Sequence, residues 1–297
     1  MMPTLRHRLF ICIAITVGAI CWWAVGPWLS AADGSTGISL MSARVPPAVA
    51  ILLALVAAVP AVGAGLAVSS AGHPLSGLFA VSCALGILAI WGGPIDGWMF
   101  RNNLPNEYGW LMFETLIWFA GVLIMLTVVQ QLRSPMRVRI PALAFDDHLD
   151  VDTHIRWPQA QAMGAGLTCA IVSAALAWAC IADSDSGQVI GSLLLAFTVG
   201  GMVGQLLFPQ SNPIGILFSP GLVAMVAYAY VLIRFSSTDQ VMAAWFGRSS
   251  GLALSQRLPG IALALPIHYA SAALAGTTMG IGIAHTIEST KNRVVSS

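Results

Sequence analysis

Charge is what this chain has least of. Only 13 Lys plus Arg and 12 Asp plus Glu occur in 297 residues, a charged share of 8% beside a hydrophobic share of 57%. Soluble globular domains carry charge on about a quarter of their residues. A mean hydropathy of +0.82 therefore excludes that class. The charges fall between about eight apolar stretches of roughly 17 to 25 residues, each long enough to cross a bilayer core.

Other absences narrow the reading. Continuous runs such as Ile51 to Val59 lack the apolar–polar alternation of a membrane barrel, so the backbone must satisfy itself in helices. The expected fold is all-α: a polytopic membrane helix bundle of about eight transmembrane helices. A net charge of +1, with no basic block beyond Arg133, Arg137 and Arg139, gives no footprint for nucleic acid. The five cysteines (Cys12, Cys21, Cys83, Cys169, Cys180) sit in apolar runs without CxxC spacing and read as small core residues. No serine-nucleophile motif, P-loop, dinucleotide fingerprint or HExxH occurs, so neither an enzyme nor a cofactor is expected. The expected partners are the lipid bilayer and other membrane helices, in a homo-oligomer or with other membrane subunits.

The apolar runs place spans at about 9–29, 48–69, 75–92, 110–132, 162–182, 188–208, 214–234 and 260–284. Four regions follow: a first four-helix membrane half (1–132), a charged cytoplasmic linker (133–161), a second four-helix half (162–287) and a polar tail (288–297). Arg6, Arg8, Arg133, Arg137, Arg139, Arg156, Lys291 and Arg293 share one side, against Arg44, Arg101, Arg234, Arg248 and Arg257 on the other. The positive-inside rule then puts both termini in the cytoplasm, in the cell's inner membrane. Arg6 and Arg8 before an apolar run, with Ser30, Ala31 and Ala32 after it, also resemble a signal peptide. The length of the run and the aromatic group Trp22, Trp23 and Trp28 favour a retained first span.

A shift of 139 residues lays the second span on the sixth, pairing Ile51 with Ile190, Leu55 with Leu194, Ala57 with Ala196 and Gly65 with Gly204. The match runs on through His73, Pro74 and Leu75 against Asn212, Pro213 and Ile214. At a slightly different offset, Cys12 and Trp22 resemble Cys169 and Trp178. A duplication into halves of four spans predicts a parallel 4+4 repeat about an axis along the membrane normal. Small residues every four positions form packing ridges: Ala57, Ala61, Gly65 and Ser69; Ser192, Ala196, Gly200 and Gly204; and Ala272, Gly276 and Gly280. Such ridges let helices approach closely where lipid offers no hydrophobic drive.

Two ionisable residues break the avoidance of charge and polarity within the spans. His268 lies on the ridge of the eighth span, in register with Ala272, Gly276 and Gly280, with Tyr269, Ser271, Thr277 and Thr278 nearby, just after Pro266. An ionisable residue at that depth is expected to face a bundle interior or a watery cavity. The plainer alternative is a neutral histidine bonded to a neighbouring helix. Glu114 shares a face of the fourth span with Trp110 and Trp118, near enough to the interface to reach headgroups or water. Pro60 and the Gly200–Gly201 pair are candidate helix interruptions. The run Asp146, Asp147, His148, Asp150, Asp152 and His154 invites a metal reading but lacks any established ligand spacing, so no metal site is assigned. The segment Trp91 to Trp110 reads as an ordered loop at the headgroups.

From these residues the expected function is transport of a small solute or ion between two halves, with His268, Glu114, Tyr269 and Ser271 on the pathway. The alternative is a non-catalytic subunit or scaffold that binds other helices through an open ridge.

Overall fold

The computed structural model describes residues 5–102, 104–139, 160–246 and 258–296. Among these residues the chain is helical throughout, with no strand. Seven helices are long and apolar enough to cross a membrane: α1 (Leu5–Leu29), α2 (Pro47–Ala71), α3 (Pro74–Trp91), α5 (Glu107–Arg139), α6 (Ala160–Cys180), α7 (Ser186–Leu207) and α8 (Ile214–Arg234). Only 28% to 56% of the apolar window of each is buried in protein, so the rest of each apolar surface must meet lipid. This is an integral membrane protein.

Two short helices, α4 (Asp96–Arg101) and α9 (Thr238–Phe246), lie at the end of the bundle that carries the long loops, here the upper end. The eighth apolar segment is not one of the seven. It is divided into a 3-10 turn (Gly260–Leu263), a one-turn helix α10 (Pro266–His268), a π-helical turn (Tyr269–Ala273) and α11 (Leu274–Ser296). The interruption lies here, and not at Pro60 or Gly200–Gly201, where α2 and α7 run unbroken.

Helix starts follow local chemistry. Pro47 and Pro74 occupy first-turn positions, where a missing N–H costs nothing. His73 caps α3 by accepting the Leu75 amide on Nδ1 at 3.2 Å. Asp185 caps α7 by accepting from Gly187 and Gln188 at 2.9 and 3.1 Å. Pro266 likewise opens α10 instead of kinking a longer helix.

Packing between helices falls into two similar sets. α1 rests on α2 and α3, as α6 rests on α7 and α8. α5 touches α2 within its own set and α8 across the middle; α11 touches α7 within its set and α3 across the middle. The small-residue ridges make these approaches possible. A Cβ on Gly18 would sit 2.7 Å from Ala84 and 3.5 Å from Ala61, and one on Gly204 would sit 2.8 Å from the Ala165 carbonyl. Gly276 and Gly280 of α11 lie against the Leu194 and Thr198 carbonyls of α7 so closely that neither has room for a methyl group. All three ridges are filled from within the chain, and Ala57, Ala61, Gly65, Gly200, Gly204, Gly276 and Gly280 are all buried.

Some sequence pairings separate in space. Trp22 is buried whereas Trp178 is exposed, and Cys12 is exposed whereas Cys169 is buried. Of the aromatic group at the top of α1, only Trp23 and Trp28 face outward.

Candidate functional site

Glu114 stands on α5 fully buried, not reaching water or headgroups as its position near the helix end suggests. The loop after α1 turns back into the bundle, burying Ile38, Ser39 and Leu40. From that loop the Ser39 hydroxyl donates to Glu114 Oε2 at 2.5 Å, and the Leu40 and Met41 amides face the same carboxyl. Trp118, one turn along α5, donates its indole N–H to Oε1 at 3.1 Å. Isolated burial of a carboxylate is costly, and this set of donors is what offsets it.

The loop is pinned from above as well. The Gly97 amide donates to Thr36 Oγ1 at 3.2 Å, and Gly97 lies so close to Thr36 that a Cβ would fall 2.5 Å from its backbone. Arg101 donates to the Gly97 and Ser42 carbonyls at 3.1 and 3.4 Å and faces Asp33 at 3.9 Å. Hydrogen bonds from the Ser35 hydroxyl and amide, with Arg101 adding to them, hold the exposed Asp33 carboxyl below its ordinary range. The segment Trp91 to Trp110 is thus an ordered cap, with Trp98 and Tyr108 inside it and Trp91 and Trp110 exposed. Between cap and loop lies a vestibule of about 460 Å³, counting its mouth, lined by Ser39, Ser42, Asn102, Glu107 and Leu111 among others. Glu107 and Leu111 precede Glu114 on the same face of α5, so the vestibule stands directly above the buried carboxyl.

His268 is also buried, at the start of the broken helix. Its Nδ1 accepts the Leu265 amide at 3.0 Å, capping its own helix. Nε2 is turned toward the backbone of Ala89 on α3, without a hydrogen bond of full geometry. The unwound backbone before it is held by two tyrosines: Tyr228 donates to the Ala264 carbonyl at 2.5 Å and Tyr269 to the Ile261 carbonyl at 2.7 Å. Ser271 donates to the Ile267 carbonyl at 2.6 Å and Thr277 to the Ala273 carbonyl at 2.7 Å, so their hydroxyls serve the helix itself. Rings continue the interface in a line, Trp98, Tyr108, Tyr228, Tyr269 and Phe197, with neighbouring centroids 5.7 to 6.4 Å apart.

Glu114 and His268 thus occupy the same upper part of the bundle, with Tyr228 within electrostatic reach of Glu114 and bonded to the backbone just before His268. Neither side chain lines the vestibule or the lateral crevice between α2 and α5. Sequence reasoning missed Ser39 and Tyr228. A tyrosine hydroxyl amid the apolar residues of α8 was the available signal for the second; a loop serine gives none.

The lower end holds a second polar group. Arg133 donates to the Ser69 and Gly72 carbonyls at 3.1 and 2.9 Å, and His7 Nε2 meets Ser76 Oγ at 3.3 Å. The His73 ring lies 6.2 Å from that of His285. Burial, followed by the nearby charges of His285, Arg133 and His7, pulls the His73 pKa down to about 4. Among the described residues no three His, Cys, Asp or Glu side chains converge as metal ligands. The run Asp146 to His154 and most of the 133–161 linker lie outside the described residues. No family model matches this chain, and no curated protein or solved structure does either.

Proposed function

We propose that the protein is a non-enzymatic transporter of a small cation or donor-rich neutral solute, with its pathway between two four-helix halves. The observation that carries this reading is the fully buried Glu114 carboxyl beneath the vestibule, covered on that side by the Ser39–Met41 loop, whose hydroxyl and amides face it. A carboxylate with its donors withdrawn attracts cations and hydrogen-bond donors and repels anions. Withdrawal of the Ser39–Met41 loop would open Glu114 to the vestibule, and a solute would take over the place of its donors. In the same upper part of the bundle, the broken eighth segment brings irregular backbone, a π turn and the buried His268 to the interface between the two sets. Discontinuous helices between repeats, and π turns in general, are frequent at transport and functional sites.

The two similar packing sets support a parallel 4+4 repeat, with the composite Pro266–Ser296 rod as an eighth span. An even span count and the arginine distribution favour both termini in the cytoplasm of an inner-membrane protein. The scaffold alternative loses its expected surface, since every small-residue ridge is occupied from within.

The test uses purified protein in vesicles with entrapped pH-sensitive and potassium-sensitive dyes. Wild type should pass one of these cations faster than protein-free vesicles, and Glu114→Gln should slow that flux at least tenfold. Equal flux in wild type, E114Q and empty vesicles, for cations and for a panel of labelled amines and sugars, removes the proposal.

A further inference from the structure

Glu107 opens helix α5 on the wall of the vestibule, half-buried and on the same face of the helix as Glu114. An acid suits the first turn of a helix. Yet this carboxyl caps nothing and meets no cation, for among the described residues it has no hydrogen-bond or ion-pair partner. Its oxygens are not enclosed, unlike the hydroxyl of Ser42 on the same wall, so they stay open to whatever enters.

The other polar groups of the wall are largely spent. Ser39 gives its proton to Glu114. Asn102 donates Nδ2 to the Trp98 carbonyl at 3.3 Å, which leaves its amide oxygen as a second open acceptor. The donors that remain are the neutral indole N–H groups of Trp98 and Trp110. Arginines of this end do not alter the balance. Arg101 is committed to the Gly97 and Ser42 carbonyls and to Asp33, and neither it nor the exposed Arg44 lines the space. The one formal charge on the wall is therefore negative, with a second carboxyl, Glu114, about 10 Å further along α5 beneath it. Anions are disfavoured there and cations are drawn in.

The rest of the lining decides which kind of cation. A hard metal ion takes about six oxygen ligands or more, and two side chains with open oxygens do not make such a shell. Met41, Pro47 and Leu111 instead give the space apolar walls. Trp110 follows Glu107 by one turn on α5 and is 54% exposed, and Trp98 reaches the same space from α4. Aromatic rings beside a carboxylate attract an ammonium head, and apolar walls accept the short hydrocarbon body behind it.

We infer that the vestibule is a recognition site for small primary alkylammonium ions, with Glu107 and the Asn102 amide oxygen accepting from the ammonium group and Trp110 beside them. This rests on the reading of the vestibule as the solute entrance, and it names the class of solute. It is tested with radiolabelled n-butylammonium and the full chain in phosphatidylcholine nanodiscs. Wild type should bind one saturable equivalent above protein-free discs, displaced by n-propylammonium but not by equal concentrations of n-butanol, butyrate or potassium. Glu107→Gln should weaken binding about tenfold or more, and Trp110→Ala about threefold with Trp110→Phe closer to wild type, all with thermal melts like that of wild type. No saturable binding to wild type, undiminished binding to Glu107→Gln, or equal displacement by n-butanol overturns the assignment. The two readings fail separately. Butylammonium bound through Glu107 without any Glu114-dependent flux sustains this site and removes transport, whereas Glu114-dependent flux of protons or potassium without butylammonium binding leaves transport and overturns this site.

Discussion

The Ser39 hydroxyl donates a 2.5 Å hydrogen bond to the Glu114 carboxyl, joining the first upper loop to a helix 75 positions later in the chain. A hydroxyl donor to a buried carboxyl is a strong contact, and its loss leaves that acceptor under-satisfied. Ser39→Ala should lower stability by about 1–3 kcal/mol. It should also free the loop, so limited proteolysis within residues 30–46 should accelerate while cleavage elsewhere does not. A loop that remains as resistant as in wild type would show that Arg101 and Thr36 alone secure it.

Glycines of α11 differ sharply in what surrounds them. Gly280→Val forces side-chain atoms against the Thr198 carbonyl and the Met202 amide, whereas Gly282 faces open space. The valine should cost about 1–3 kcal/mol by overpacking, more if α7 and α11 separate. Gly282→Ala should be neutral or stabilise by up to about 1 kcal/mol through helix propensity. Thermal melts of the two variants in the same detergent decide the matter; equal midpoints would contradict the close α7–α11 contact.

His73 sets a pH dependence at the lower end. Its folded pKa of about 4 lies below the ordinary value of 6.5, so between those values the unfolded chain binds more protons than the folded one. Stability from this group is complete above about pH 6.5 and falls as pH drops toward 4. His73→Asn keeps an acceptor for the Leu75 amide but does not titrate. The variant should therefore lose less of its melting temperature between pH 7 and pH 4.5 than wild type. Parallel pH profiles for the two proteins would assign the acid sensitivity elsewhere.

The spans were legible because long apolar runs leave the backbone one solution in lipid, and the ridge glycines because close approach needs small residues at helical spacing. Trp22 and Trp23 show where legibility ends. They are adjacent and chemically identical, yet one is 2% exposed and the other 66%, since in an all-apolar helix no polar face marks the outward direction. Glu114 was found as an exception to the avoidance of charge, but its burial was not, because the loop that buries it lies far away in sequence. The π turn at Tyr269–Ala273 had no signal beyond Pro266 and a cluster of hydroxyls. Ser82, buried on α3 with no hydrogen-bond partner for its hydroxyl, was inconspicuous for a different reason: a serine in an apolar helix usually bonds its own backbone.

Helix α5 has 33 residues, about 50 Å of rise, against a hydrocarbon core of about 30 Å. Near its lower end Arg133 grips the Ser69 and Gly72 carbonyls at the foot of α2, marking the level where that helix stops. Beyond that level α5 continues for about 9 Å to Arg139. It therefore acts as a stalk, carrying the chain rigidly past the foot of α2, while higher up the same helix packs directly on α8 of the second set.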